Sequence, residues 1–128
     1  SGSVFVGRRD KAVKDRQSVP RSDFVATIGA TLDEIQRELF ERALRFREER
    51  TREVTSTGEL EEYLSGSEEG VSGGFAVAYW VDDPKVNDVL APLKATARCI
   101  PLGEEPPPGK CIFTGRESRQ KVIFAKAY

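Results

Sequence analysis

The chain has 128 residues, 38% hydrophobic and 32% charged, with 20 basic and 21 acidic side chains and neither histidine nor methionine. That length holds one core, at most one domain and a piece of another. The net charge of −1 says nothing about a nucleic-acid partner. No apolar run approaches the roughly 18 residues of a membrane-spanning helix, and the missing histidine removes Ser–His and Cys–His nucleophile pairs and the commonest metal ligand. No acidic pair sits in an evident catalytic setting, so catalysis by this chain alone is not expected. Charge is unevenly spread: residues 1–30 hold six basic and three acidic side chains, residues 57–90 one and eight, and residues 91–128 seven and three. A basic start and end therefore flank an acidic middle. No signal peptide is visible, and two cysteines make no disulfide framework. A cytosolic location is the default. The absence of Met even at position 1 suggests a processed chain or one cut from something larger.

In chain order, Val4-Phe5-Val6-Gly7-Arg8-Arg9 reads as a short strand with no neighbouring hairpin partner, as if the rest of its sheet were missing. Asp10 to Gln17 is polar and reads as a loop, and Ser18-Val19-Pro20 as a brief extended piece. Ser22 offers an N-cap to a short helical turn through Phe24, Val25 and Ile28, ended by Gly29. Thr31 with Glu34 three residues on makes a capping box for the main helix. Leu32, Ile35, Leu39, Ala43 and Phe46 recur at helical spacing along it, widened by Phe40 and Leu44. Its other faces carry Asp33/Arg37, Glu38/Arg42, Glu41/Arg45 and Glu48/Arg52, each an acid four residues before a base, worth about 0.3 kcal/mol apiece. Such a run reads first as a solvated face.

Ser56 or Thr57 caps a second helix over 58–64, and the Gly/Ser/Glu-rich stretch 65–74 reads as a mobile loop. Phe75 to Val81 is a buried strand by length and content. Asp82-Asp83-Pro84 turns into a helix through Val86, Val89 and Leu90, with Pro84 suited to the first turn. Residues 97–102 read as a strand, the three prolines of 104–109 as a rigid loop, and 110–113 and 121–127 as two strands joined by a polar turn. The fold class is α/β (α+β): a two-layer domain with a mixed sheet and helices on one face, preceded by a long amphipathic helix. Cys99 reads as a buried core residue, with a Cys99–Cys111 disulfide as the competing view, against which a cytosolic setting argues.

Several pieces carry a resemblance. Leu39-Phe40, Ala43-Leu44, Phe46-Arg47-Glu48, Thr51-Arg52 and Val54 look like the helix following the anticodon-binding domain of prolyl-tRNA synthetases. Gly74-Phe75-Ala76-Val77-Ala78-Tyr79 is similar to the strand that opens the C-terminal domain of that family. Arg98-Cys99-Ile100-Pro101, Gly109-Lys110-Cys111 and the closing Phe124-Ala125-Lys126-Ala127-Tyr128 complete the pattern in order. The resemblance covers essentially the whole chain. It implies that residues 1–30 are the tail of an anticodon-binding domain with its linker, and 31–128 the C-terminal domain.

Further implications follow from the resemblance alone. The parent enzyme takes ATP, Mg, proline and tRNA(Pro) and is a cytoplasmic homodimer. The fragment is non-catalytic, a monomer is the expectation for it in isolation, and its partner is the rest of the synthetase chain. Arg16, or by rival spacing Lys14, matches a base that helps hold anticodon nucleotides, and Arg8 and Arg9 are candidate phosphate contacts. Tyr128 matches a terminal residue whose carboxylate reaches toward the catalytic domain. Four cysteines surround a zinc in the family's fuller pattern. Here those positions are Val81, Val86, Cys111 and Thr114, so zinc is expected to be absent and Val81 and Val86 to pack against each other. An interaction module in another assembly, or a small nucleic-acid-binding domain, stays open beside this reading.

Overall fold

The computed structural model describes residues 2–66 and 73–127. The greater part of the expected mobile loop, and Tyr128, lie outside the described residues. The chain divides into two compact units, residues 1–46 and 47–128.

In the first unit, strand β1 (Ser3–Val6) pairs antiparallel with β2 (Gln17–Pro20), Val4 opposite Val19 and Phe5 opposite Ser18. The expectation that the first strand lacks a hairpin partner is therefore corrected. The partner is the brief extended piece at Val19-Pro20, reached through a connection that includes a 3₁₀ turn at Val13–Asp15. A proline is tolerated at the end of β2, a strand of a two-stranded ladder, where its missing N–H leaves no neighbour unpaired.

Helix α1 follows at once, running unbroken from Arg21 to Glu49. Neither the stop at Gly29 nor the start at Thr31 occurs. The Thr27 hydroxyl donates to the Asp23 carbonyl at 2.7 Å and the Thr31 hydroxyl to the Thr27 carbonyl at 3.1 Å, so Thr31 is spent inside the helix. Glu34 accepts from Arg8 instead of closing a capping box. Gly29 costs about 1 kcal/mol against alanine in a helix interior, too little to break a helix of this length. None of the four expected acid–base pairs forms among the described residues. The i,i+4 ion pair that does form is Arg37–Glu41, at 4.0 Å, while Glu38 turns to Lys11. No residue of α1 is buried, and Leu32, Phe40 and Phe46 of its apolar stripe are all more than half exposed.

The second unit holds the core. Strand β3 (Thr51–Glu53), helix α2 (Thr57–Ser65) and β4 (Phe75–Tyr79) follow in order, and β3 and β4 run parallel, as a helical crossover requires. Ser56 is the N-cap of α2, accepting the Glu59 N–H at 3.2 Å, and the Glu59 carboxylate reaches back to the Thr55 N–H at 2.7 Å. Helix α3 (Lys85–Leu90) leads to β5 (Ala95–Cys99). A two-stranded ladder, β6 (Gly109–Lys110) with β7 (Glu117–Ser118), precedes β8 (Lys121–Lys126). The main sheet has the order β3-β4-β8-β5, mixed in direction, with the last strand in the middle. That placement explains the apolar ending: Val122 and Phe124 alternate onto the helical face and meet Ala76 and Ala78, Leu60 and Leu64 of α2, and Val86 and Leu90 of α3. Phe113 packs edge-on to Phe124, ring centres 5.4 Å apart.

Four other expectations shift. The short strand β3, wholly exposed, has no counterpart in the sequence reading. The expected strand 97–102 is found at 95–99, leaving Ile100 and Leu102 exposed. The expected strand 110–113 stops at Lys110 and gives way to a turn. Cys99 is exposed, because β5 is an edge strand whose register slips between Ala97 and Cys99. Cys111 is the buried cysteine, and neither is in a disulfide.

Candidate functional site

Two places collect the residues singled out from the sequence, one in each unit. In the first unit, Arg8, Arg9, Lys14 and Arg16 all lie on the connection between β1 and β2. Their surroundings differ. Arg8 makes a two-pronged contact with Asp10, Nε to Oδ1 at 3.0 Å and Nη2 to Oδ2 at 2.7 Å, and its Nη1 donates to Glu34 of α1 at 2.8 Å. Lys11 reaches Glu38 one turn further along, also at 2.8 Å. The hydrogen bonds to Asp10 and Glu34 raise the Arg8 pKa above its ordinary value. Those from Arg8 pull Asp10 down to about 2 and hold Glu34 below the usual carboxylate range. Arg8 thus staples the strand connection to the helix. Arg9, Lys14 and Arg16 are exposed, and the Arg16 stem lies over the Cα of Gly7, where any Cβ would press against it. An apolar groove of about 620 Å³ runs between β1 and α1, lined by Val4, Val6, Phe24, Ile28, Leu32 and Ile35, with Arg8 and Arg9 among its other lining residues.

In the second unit, the positions matching the family's metal ligands gather where β4 gives way to α3 and β6 to β7. Cys111 is 1% exposed and Val86 4% exposed. Val86 joins the core; Val81 is half-buried and outside that cluster, so the expected packing of the two against each other is not what forms. Burial pushes the Cys111 thiol up. Interactions with the Thr114 hydroxyl and with the backbone of Phe113, Thr114 and Val81 outweigh this and leave its pKa below the ordinary value. The turn is closed by Gly115 N–H to the Cys111 carbonyl and Cys111 N–H to the Arg116 carbonyl, both 2.8 Å. Gly115 sits at φ 72°, a conformation that favours glycine.

The donor set here does not suit a structural zinc. A closed site needs four nitrogen, sulfur or oxygen ligands. Two of the four matching side chains are valines, the Thr114 hydroxyl is engaged with Cys111 and the Arg116 N–H, and only one thiol remains. Among the described residues no three of His, Cys, Asp and Glu come together.

Sequence reasoning missed two residues that organise this corner. The Ser118 hydroxyl, 8% exposed, donates to the Trp80 carbonyl at 2.6 Å and accepts the Gln120 N–H at 3.0 Å. The Tyr79 hydroxyl donates to the Pro107 carbonyl at 2.7 Å, and its ring lies so close over Gly109 that a Cβ there would collide with it. The glycine after three prolines was the available signal for the second. A serine in a polar turn gave none for the first.

The second unit is an α+β domain with a helical crossover and a turn closed around a buried cysteine. Comparison with known proteins narrows this. Residues 68–128 match the family described as prolyl-tRNA synthetase, C-terminal. The proline–tRNA ligase of Bdellovibrio bacteriovorus is 44% identical over 99% of this chain, and proline–tRNA ligase 2 of Anaeromyxobacter dehalogenans 42% over 99%. The chain spans about a quarter of the length of these relatives. The crystal structure of Cryptosporidium parvum prolyl-tRNA synthetase with L-proline and AMP shares the fold over 99% of this chain and 26% of its own, with a TM-score of 0.78 at 22% identity. The chain belongs to the prolyl-tRNA synthetase family, as its C-terminal region.

Proposed function

We propose that this chain is the structural C-terminal part of an enzyme that attaches proline to tRNA(Pro) with ATP, and that it contributes no catalytic residue of its own. The observation that carries this is the 44% identity sustained across 99% of the chain with a proline–tRNA ligase of which it spans 25%. The proposed division is an anticodon-domain tail with its linker over 1–30 and the C-terminal domain over 31–128. The parent works in the cytoplasm as a homodimer with ATP and Mg bound elsewhere in its chain; zinc has no part in this segment. Arg16, or by the rival placement Lys14, both exposed on the β1–β2 connection, is the anticodon contact, with Arg9 on the phosphate backbone. Arg8, already engaged with Asp10 and Glu34, serves the fold first.

The test is aminoacylation by the full-length synthetase. Removing residues 74–128 should cut kcat/KM, and the isolated chain should charge no tRNA. Arg16→Ala and Lys14→Ala should raise KM for tRNA with kcat little changed. Each should also lower the salt dependence of binding by about one unit of slope if its side chain neutralises a phosphate. Unchanged charging after removal of residues 74–128 would end the proposal.

A further inference from the structure

The corner built on Cys111 is tied across by direct bonds. One arm is the end of β4 and the start of α3, residues 79–86; the other is residues 109–120. Ile112 N–H donates to the Tyr79 carbonyl at 3.2 Å and Trp80 N–H to the Gln120 carbonyl at 3.0 Å. The Ser118 hydroxyl reaches the Trp80 carbonyl at 2.6 Å, and Arg116 Nη2 the Asp83 carboxylate at 2.7 Å. Ser118 is the one polar residue buried among those described. Cys111 sits sealed inside the turn these bonds close. A metal would join the same two arms through ligands on each, yet valines stand on the first arm and a hydroxyl on the second.

We propose that this corner is a metal-free clasp: the Ser118 hydroxyl pins the two arms directly, around a buried Cys111, and replaces the ion that joins them in the family's four-cysteine pattern. Ser118 is a positioning residue in this scheme, and the buried Cys111 fills the turn. The Asp83–Arg116 pair, half-exposed, adds alignment and little else. Loss of the Ser118 hydroxyl strands the Trp80 carbonyl without that partner, which is the costly case for a polar group held away from water.

The intact chain is the material for the test. Purified protein is assayed for bound metal and melted with and without a strong chelator, beside Ser118→Ala, Cys111→Val and Asp83→Asn. The expected result is no stoichiometric metal and no chelator effect in any of the four. Ser118→Ala should melt several degrees lower, Cys111→Val lower by less, and Asp83→Asn within about a degree of the parent. Hydrogen exchange in the unaltered protein supplies a readout independent of folding of the variants: the Trp80 and Ile112 amides should be protected together, at the level of Phe124. One zinc per chain with a chelator-sensitive melt would overturn the clasp, as would fast exchange at Trp80 and Ile112, or a Ser118→Ala protein as stable as the parent.

Discussion

Residues 1–46 and residues 47–128 share one chain but are held by different physics. The first unit has no buried residue among those described, and its firmest ties are ion pairs: Arg8 to Asp10 and Glu34, Lys11 to Glu38. The second has every buried apolar residue described, from Val54 to Ala125, most of them in one cluster with Phe124 and the helical residues Leu60, Leu64, Val86 and Leu90. Apolar burial is what normally offsets the conformational entropy lost on folding. The second unit therefore has the means to fold by itself. The first has a long helix with Leu32, Phe40 and Phe46 in solvent, an apolar stripe whose spacing suits a partner surface. An amphipathic pattern thus identifies a helix without identifying what covers it.

Truncation of a central side chain should expose the contrast most sharply. Phe124, fully buried on the middle strand, should cost about 3–5 kcal/mol when replaced by alanine. Phe40→Ala, on the exposed stripe, should stay within about 0.5 kcal/mol by denaturant unfolding of this chain. A comparable loss at both positions would mean that the stripe is covered after all. Next in size is Ser56→Ala, expected to cost about 1 kcal/mol through loss of the α2 N-cap, with the loss read in the second unit.

Acid should act on the first unit selectively. Asp10 has its pKa lowered by the Arg8 hydrogen bond from 3.8 to about 2, so its carboxylate stabilises the fold fully above about pH 4. That contribution fades as the pH falls towards 2, and Glu34, lowered by the same guanidinium, fades with it. Amide exchange at Val4 to Val6 should accelerate over that interval while Val122 and Phe124 stay protected. Smallest of all, Arg37→Ala should leave stability unchanged within error, since its pair with Glu41 is 4.0 Å long and both side chains are more than half exposed.

The second unit was the more legible in sequence for the same reason that it has a core. Leu60 and Leu64 stand one turn apart behind a Ser56 cap, and Val122 and Phe124 alternate in a closing run; local pattern and tertiary burial agree there. In the first unit the deciding interactions are distant. Thr31 and Glu34 look alike whether they cap a helix or lie within one, and the partner that settles Glu34 is 26 residues away at Arg8. The β1–β2 pairing had no two-residue turn signal, only a long polar connection. Cys99 was misplaced because a register slip on an edge strand turns alternation into a poor guide. Of the candidate site residues, Arg8 and Arg9 read as the end of the first strand rather than as part of a connection, and only the loop placement of Lys14 and Arg16 was readable, from their polar surroundings. The division of labour that gives Arg8 to the fold was not. At the Cys111 corner the missing ligands were plain from Val81, Val86 and Thr114, whereas the Ser118 pin depends on a bond to Trp80 across 38 residues of chain.

The most direct measurement is amide exchange at β1 and β8, made on this chain alone and on a full-length synthetase that contains it. In the chain alone, Val122 and Phe124 should be protected to the global limit and Val4 to Val6 far less. In the full-length protein, the proposed role of the first unit as the tail of a larger domain predicts that protection at β1 rises while β8 stays where it was. Equal protection of β1 and β8 in the chain alone, or no gain at β1 in the longer protein, would contradict the division of this molecule into a self-sufficient C-terminal domain and a segment completed from elsewhere.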